Sequence, residues 1–204
     1  MKKVIISCFV LCAMTSLQAN AFDFNSVLNF LSKTAETQTA EVQTVKSFED
    51  IKTQMTAIDS SVQEAFINIV SELSTRKETK NIKNELKSDS AALSNLISNY
   101  TATLANNKDK MVKTVSKLSS KEKTALLNNL ATLATDSQQY MTLATDGART
   151  ATNAIKTAQK LNEFATAVSN INTVAAELKN RATTVVNFTN QVKTIAAAAG
   201  MSVK

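Results

Sequence analysis

From Phe48 onward the large apolar side chains fall at Ile51, Met55, Ile58, Val62, Phe66, Ile69 and Leu73. Steps of three and four place them on one face of an α-helix. The pattern resumes at Ile82, Leu86, Leu93, Ile97, Tyr100, Leu104, Met111, Val115 and Leu118. A third series runs through Leu126, Leu130, Leu133, Tyr140, Ala144, Ala151, Ile155 and Ala158. A fourth follows at Leu161, Phe164, Val168, Ile171, Ala175, Leu178, Ala182, Val185, Val192 and Ile195. The period-two alternation of a strand is absent over any comparable length. The pattern predicts an all-α fold.

Breaks in these stripes are few. Ser119 with Glu122 matches a capping box that opens a new helix. Residues 74–81 hold no large apolar side chain, so the stripe lapses for about two turns. Asn106 to Lys110 is polar, but Leu104 and Met111 stay in phase, so a helix can run through. Asp146-Gly147 could close a helix, whereas no breaker marks the stretch near Lys160–Glu163.

Two architectures fit. Turns near 74–81, 119–120 and 160 give an antiparallel up-down bundle of four helices, each about 35 residues or roughly 50 Å long. A single turn at Ser119-Ser120 gives one helical hairpin about 110 Å long, open to oligomerisation. Burial favours the bundle. Each buried apolar side chain contributes roughly 1.5–3 kcal/mol, against about 1–2 kcal/mol for ordering each backbone residue. The alanine- and threonine-rich second half buries little unless more helices surround it.

Composition reinforces the helical reading. Proline and tryptophan are absent, and Gly147 and Gly200 are the only glycines. A fold of many tight turns lacks its usual turn formers.

The N-terminus has a different character. Lys2 and Lys3 precede an apolar run from Val4 to Met14, and Ala19-Asn20-Ala21 offers small residues at a cut site. These are the parts of a secretory signal peptide, and the run is shorter than the ~20 residues of a membrane span. The expected organisation is therefore a leader at 1–21, a short amphipathic helix with a polar connection at 22–41, and the helical domain at 42–204. Ile5-Ile6-Ser7-Cys8 resembles a lipid-attachment box only loosely, and Leu11 is too large for the position before Cys12. Cleavage after Ala21 would remove both cysteines and lower the net charge from +6 to +4 with the loss of Lys2 and Lys3. The expected location is the periplasm or the exterior.

The chemistry then narrows. Histidine is absent, so nucleophile–base pairs and Cys/His zinc sites have no ligands to draw on. Clustered glycines for a phosphate loop are missing too. No catalytic residue, cofactor or metal is expected. Glu49, Asp50, Glu72, Glu78, Glu85 and Asp89 lie off the stripe among lysines and read as a solvated face rather than a carboxylate site.

Two surface elements remain as candidates. Phe22, Phe24, Val27, Leu28, Phe30 and Leu31 form a short apolar face, either a cap on the bundle or a docking surface. Lys108, Lys110, Lys113, Lys117, Lys121 and Lys123 form the densest basic stretch, read as a solvated tip or as a contact for an anionic partner. Export and the even scatter of lysines elsewhere argue against nucleic acid. Tyr100 and Tyr140 read as core residues whose hydroxyls reach an edge. The C-terminal Ile195–Val203 run reads as a frayed last turn. Asn99-Tyr100-Thr101 and Asn187-Phe188-Thr189 match glycosylation sequons by chance in so Asn- and Thr-rich a chain.

The functional expectation is an exported, non-enzymatic helical protein of the bacterial envelope that binds another protein. The alternative is a protein that binds lipid or a membrane surface, as a carrier or pore former. A homo-oligomer is compatible with either.

Overall fold

Two capping boxes set the first and the central turn of the chain. At Ser119, the backbone N–H and the hydroxyl both donate to Glu122 Oε2 (2.7 and 2.6 Å), and the Glu122 N–H donates back to Ser119 Oγ at 3.3 Å. Thr75 and Glu78 repeat the same reciprocal pairing at 2.9–3.3 Å. Each box satisfies N–H groups that the first turn of a helix leaves without partners. The second box, Thr-x-x-Glu, falls inside the polar lapse, where no helix start was expected.

A computed structural model describes residues 39–89, 92–157 and 161–203. Among them the chain is all-α, with six helices and no strand, packed as a helical bundle. The helices are α1 (Thr39–Leu73), α2 (Arg76–Ser88), α3 (Leu93–Asn106), α4 (Lys108–Ser116), α5 (Ser120–Thr157) and α6 (Leu161–Ala198). The expected boundary at residue 42 falls inside the first turn of α1. The expected leader at 1–21 and the 22–38 segment lie outside the described residues.

The second of the four expected long helices is instead three short ones. Asn107 interrupts the stretch that looked continuous: its backbone (φ −120°, ψ 27°) leaves the helical region, so α3 ends and α4 begins there. The in-phase spacing of Leu104 and Met111 survives this kink, and both are buried. Asp146-Gly147, by contrast, ends nothing. Gly147 lies buried within α5 facing Ile51 of α1, and the helix continues to Thr157.

Contacts between helices give their directions. Asn68 meets Asn129, Asp59 meets Tyr140 and Ile51 lies by Gly147, so α1 and α5 run antiparallel. Asp59 also meets Arg181, and Phe66 meets Phe188, so α1 and α6 run parallel. Simple up-down alternation would make α1 and α5, its first and third legs, parallel. The additional reversal between α2 and α3 changes the sense of every later helix. The extended hairpin is also excluded, because α6 folds back along α5.

The core follows the stripes closely. Ile51, Ile58, Val62, Phe66, Ile69 and Leu73 of α1 are buried, as are Leu126, Leu130, Leu133, Tyr140 and Ala144 of α5. Ala175, Leu178, Ala182, Val185, Val192 and Ile195 of α6 join them. Phe48 and the stripe positions from Ala151 to Ile171 lie outside the described side chains. Phe188 was not part of the expected stripe, yet it is fully buried. It stands edge-on to Phe66 (5.3 Å between ring centres) and to Tyr100 (6.3 Å), and Phe66 and Tyr100 pack edge-on at 6.0 Å. Such ring pairs contribute about 0.5–1.5 kcal/mol each beyond area burial. The three rings join α1, α3 and α6 at one point.

The C-terminus is not frayed. Gly200 adopts φ +82°, the left-handed conformation that glycine takes without strain. Its N–H donates to Ala197 O, and the Met201 N–H donates to Ala196 O, both at 3.0 Å. That pair of bonds is a Schellman closure, and Met201 folds back on the core.

Phe188→Ala is expected to cost about 3–5 kcal/mol in denaturant unfolding, because the ring leaves a cavity at a three-helix junction. A second expectation concerns acid. The Thr75 backbone N–H, and next its hydroxyl, hold Glu78 below its ordinary 4.5. Stability from that group is therefore present above the unfolded value and lost as pH falls through the folded one. The stability advantage of wild type over Glu78→Gln should shrink on titration from about pH 5 to about pH 3.

Candidate functional site

Three of the four apolar stripes have a place where a polar residue occupies an inward-facing slot. On α1 it is Asp59, four residues after Met55. On α5 it is Asp136-Ser137, filling the gap between Leu133 and Tyr140. On α6 it is Arg181, three residues after Leu178. The helical spacing that buries the neighbours also turns these side chains inward. None was singled out from the sequence, although the gap after Leu133 was visible.

Asp59, Tyr140 and Arg181 meet where α1, α5 and α6 pass one another. Arg181 Nη1 donates to both carboxylate oxygens of Asp59, at 2.6 and 2.7 Å, and the Tyr140 hydroxyl donates to Asp59 Oδ1. Arg181 Nε reaches Glu177 Oε1 one turn earlier at 3.2 Å. Burial pushes the Tyr140 phenol well above its usual value, and the Asp59 carboxylate pushes in the same direction. Burial works against the charge on Arg181, but Asp59 outweighs it and keeps the guanidinium firmly protonated. Among the described residues, no side-chain atom of the cluster is buried without a hydrogen-bond partner. Its chemistry is structural: it ties three helices in one register.

Asp136 is different. It is 5 % exposed, and its Oδ2 accepts no hydrogen bond among the described residues. Burial raises its carboxyl above the ordinary range, and a hydrogen bond from Ser61 offsets this only in part. It lines a half-open groove of ≈ 400 Å³ between α1 and α5, with Gln54, Ile58, Ser61, Gln139 and Leu143 among the other walls.

The lysine group gathers at one end of the bundle, around the turn at 117–119. Lys108, Lys110 and Lys113 lie on α4, Lys117 closes it, and Lys121 and Lys123 open α5. All are exposed except Lys123, which is half-buried and whose ammonium reaches the Ser116 carbonyl at 3.4 Å. Phe22, Phe24, Val27, Leu28, Phe30 and Leu31 lie outside the described residues.

The acids read as a solvated face behave separately. Asp50, Glu78, Glu85 and Asp89 are exposed, and Glu78 serves its capping box. Glu72 is half-buried, and burial, with Glu122 nearby, raises its carboxyl. Among the described residues no three metal-ligating side chains cluster, and no helix is long and apolar enough to cross a membrane. The large apolar side chains exposed there, Met141 and Val186, stand on different helices and build no extended patch. Both tyrosine hydroxyls find partners, Tyr100 with Ser74 and Tyr140 with Asp59.

No family model matches this chain, and comparison with curated proteins and with solved structures likewise finds no match.

Arg181→Met should destabilise the fold by about 2 kcal/mol, since it leaves a half-buried carboxylate without its charged partner. Combining it with Asp59→Asn should cost less than the sum of the two single changes, a coupling that a double-mutant cycle in denaturant would measure.

Proposed function

We propose that this chain is an exported, non-enzymatic helical protein of the bacterial envelope that works by binding another protein. The observation that carries the reading is the basic end of the bundle. Lys108, Lys110, Lys113, Lys117 and Lys121 stand exposed around one tight turn, and the same stretch holds only Asp109 and Glu122 as acids. Glu122 is occupied by Ser119, whose hydroxyl, and next its backbone N–H, hold the carboxylate below the ordinary range. A predominantly basic patch of this kind steers an acidic surface into contact and sets its orientation.

The leader-like start at 1–21 supports export, with cleavage after Ala21 placing the remainder in the periplasm or outside the cell. For the architecture, we read four legs: α1, the α3–α4 pair, α5 and α6. In this reading α2 lies as a flap against α1. The three long legs make a rigid post, and the lysine turn is its tip.

The same lysines support a second reading, attachment to an anionic membrane surface. Each lysine near such a surface contributes about 1 kcal/mol, so five of them suffice for peripheral binding at low salt.

Charge reversal separates these readings. Lys110→Glu, Lys113→Glu and Lys117→Glu together should leave helical content unchanged by circular dichroism, because all three side chains are exposed. Wild-type protein cross-linked in native envelopes should capture a reproducible acidic partner that the triple variant loses. Failure to recover any reproducible partner would count against the protein-binding reading. Flotation with phosphatidylglycerol vesicles, lost in the variant and at high salt, would select the membrane reading instead.

A further inference from the structure

We infer that the groove between α1 and α5 is a binding site for a small alkylammonium ion, with Asp136 as its anionic anchor. The inference is independent of the lysine tip, which lies at one end of the bundle.

A carboxylate buried without a full set of donors costs free energy, and folded proteins rarely keep one without a use. Asp136 has one donor, Ser61, and its Oδ2 has none among the described residues. None of the side chains lining the groove carries a positive charge. The field at its floor is therefore that of a single uncompensated carboxylate. An ammonium ion supplies both missing things, a charge and N–H donors.

The walls select among cations. Calcium takes six to eight oxygen ligands, generally with several carboxylates, and this groove offers one carboxylate. The amide oxygens of Gln54 and Gln139 at the rim suit the remaining N–H groups of an ammonium. Ile58 and Leu143 provide an apolar surface for methylenes. The ≈ 400 Å³ of the groove lies at the small end of ligand sites, a size for an alkylamine rather than for a nucleotide or a sugar chain. The torsion that carries the carboxyl oxygens is soft, so the group can rotate as a whole, giving up part of its Ser61 hydrogen bond to present an oxygen to the groove without disturbing α5.

The test uses full-length protein without its leader and n-butylammonium chloride as the probe, against sodium chloride at equal ionic strength. Amide chemical shifts followed by NMR up to about 10 mM probe suit the weak affinity of one charged hydrogen bond and a few methylenes. The expected result is saturable shifts confined to the residues around Gln54–Ser61 and Asp136–Leu143. Asp136→Asn should fold at least as stably as wild type and bind at least about tenfold more weakly, because the charged hydrogen bond is gone. Gln139→Lys, at an exposed rim position one turn from Asp136, should place a tethered ammonium on the carboxylate and abolish binding while the fold persists. Tetramethylammonium, which has no N–H to donate, should fail to compete. Absence of saturable shifts in wild type, or shifts unchanged in both variants, would overturn the assignment and leave Ser61 as the partner of Asp136.

Discussion

Three rings, Phe66 of α1, Tyr100 of α3 and Phe188 of α6, close against one another edge-on at the point where these helices converge. Elsewhere the core is built from aliphatic side chains, with alanine at Ala65, Ala144, Ala175, Ala182 and Ala196. Aliphatic packing rewards burial without strongly preferring one arrangement over a close neighbour. The ring junction supplies volume and a fixed geometry in one place. It also takes a member from the broken second stretch, which would otherwise touch the long helices only through short segments. The Asp59–Arg181–Tyr140 cluster, two turns along α1 from Phe66, then fixes the register that the rings leave open. Apolar volume at one level and directional bonds at the next together make one arrangement preferable to its neighbours.

Much of this was legible in the residue pattern. The four stripes located most of the buried apolar side chains, though not Ala65, Val70, Leu96, Leu143, Val174, Phe188 or Ala196, and Ser119 with Glu122 marked the central turn. Both tyrosines behave as their stripe positions implied. What was missed has identifiable causes. Thr75 and Glu78 carry the same capping signal as Ser119 and Glu122, but it was hidden in a stretch taken as one long lapse. Asn107 breaks a helix without disturbing the phase of Leu104 and Met111, so periodicity alone cannot see it. Phe188 lay between Val185 and Val192 and completes a regular series. Because helix direction depends on the number of reversals, one extra turn between α2 and α3 was enough to invert the relation of α1 to α5. The Schellman end at Gly200 shows the opposite error, a weak-looking terminus that is firmly closed.

Threonine is accommodated in these long helices by bonding to its own backbone. Thr56, Thr103, Thr114, Thr124, Thr132, Thr135, Thr142, Thr145, Thr183 and Thr194 each donate to the carbonyl four residues earlier. A hydroxyl satisfied by its own helix presents mainly a methyl group outward. The outer faces are thus quieter than their composition suggests, and the functional signal concentrates where charge is uncompensated. Two such places stand out, the exposed lysines at the 117–119 turn and the single carboxylate in the α1–α5 groove. They are opposite in sign and set in different parts of the bundle.

Asp59 binds partners 81 and 122 positions further along the chain. Closing loops of that length is slow, and the entropy must be spent before the contacts form. The α1–α5 contacts through Tyr140 need no residue of α6, whereas the Arg181 and Phe188 contacts of α1 wait for it. Synthesis proceeds from the other end, so the ties that join three helices at once are the last to become available.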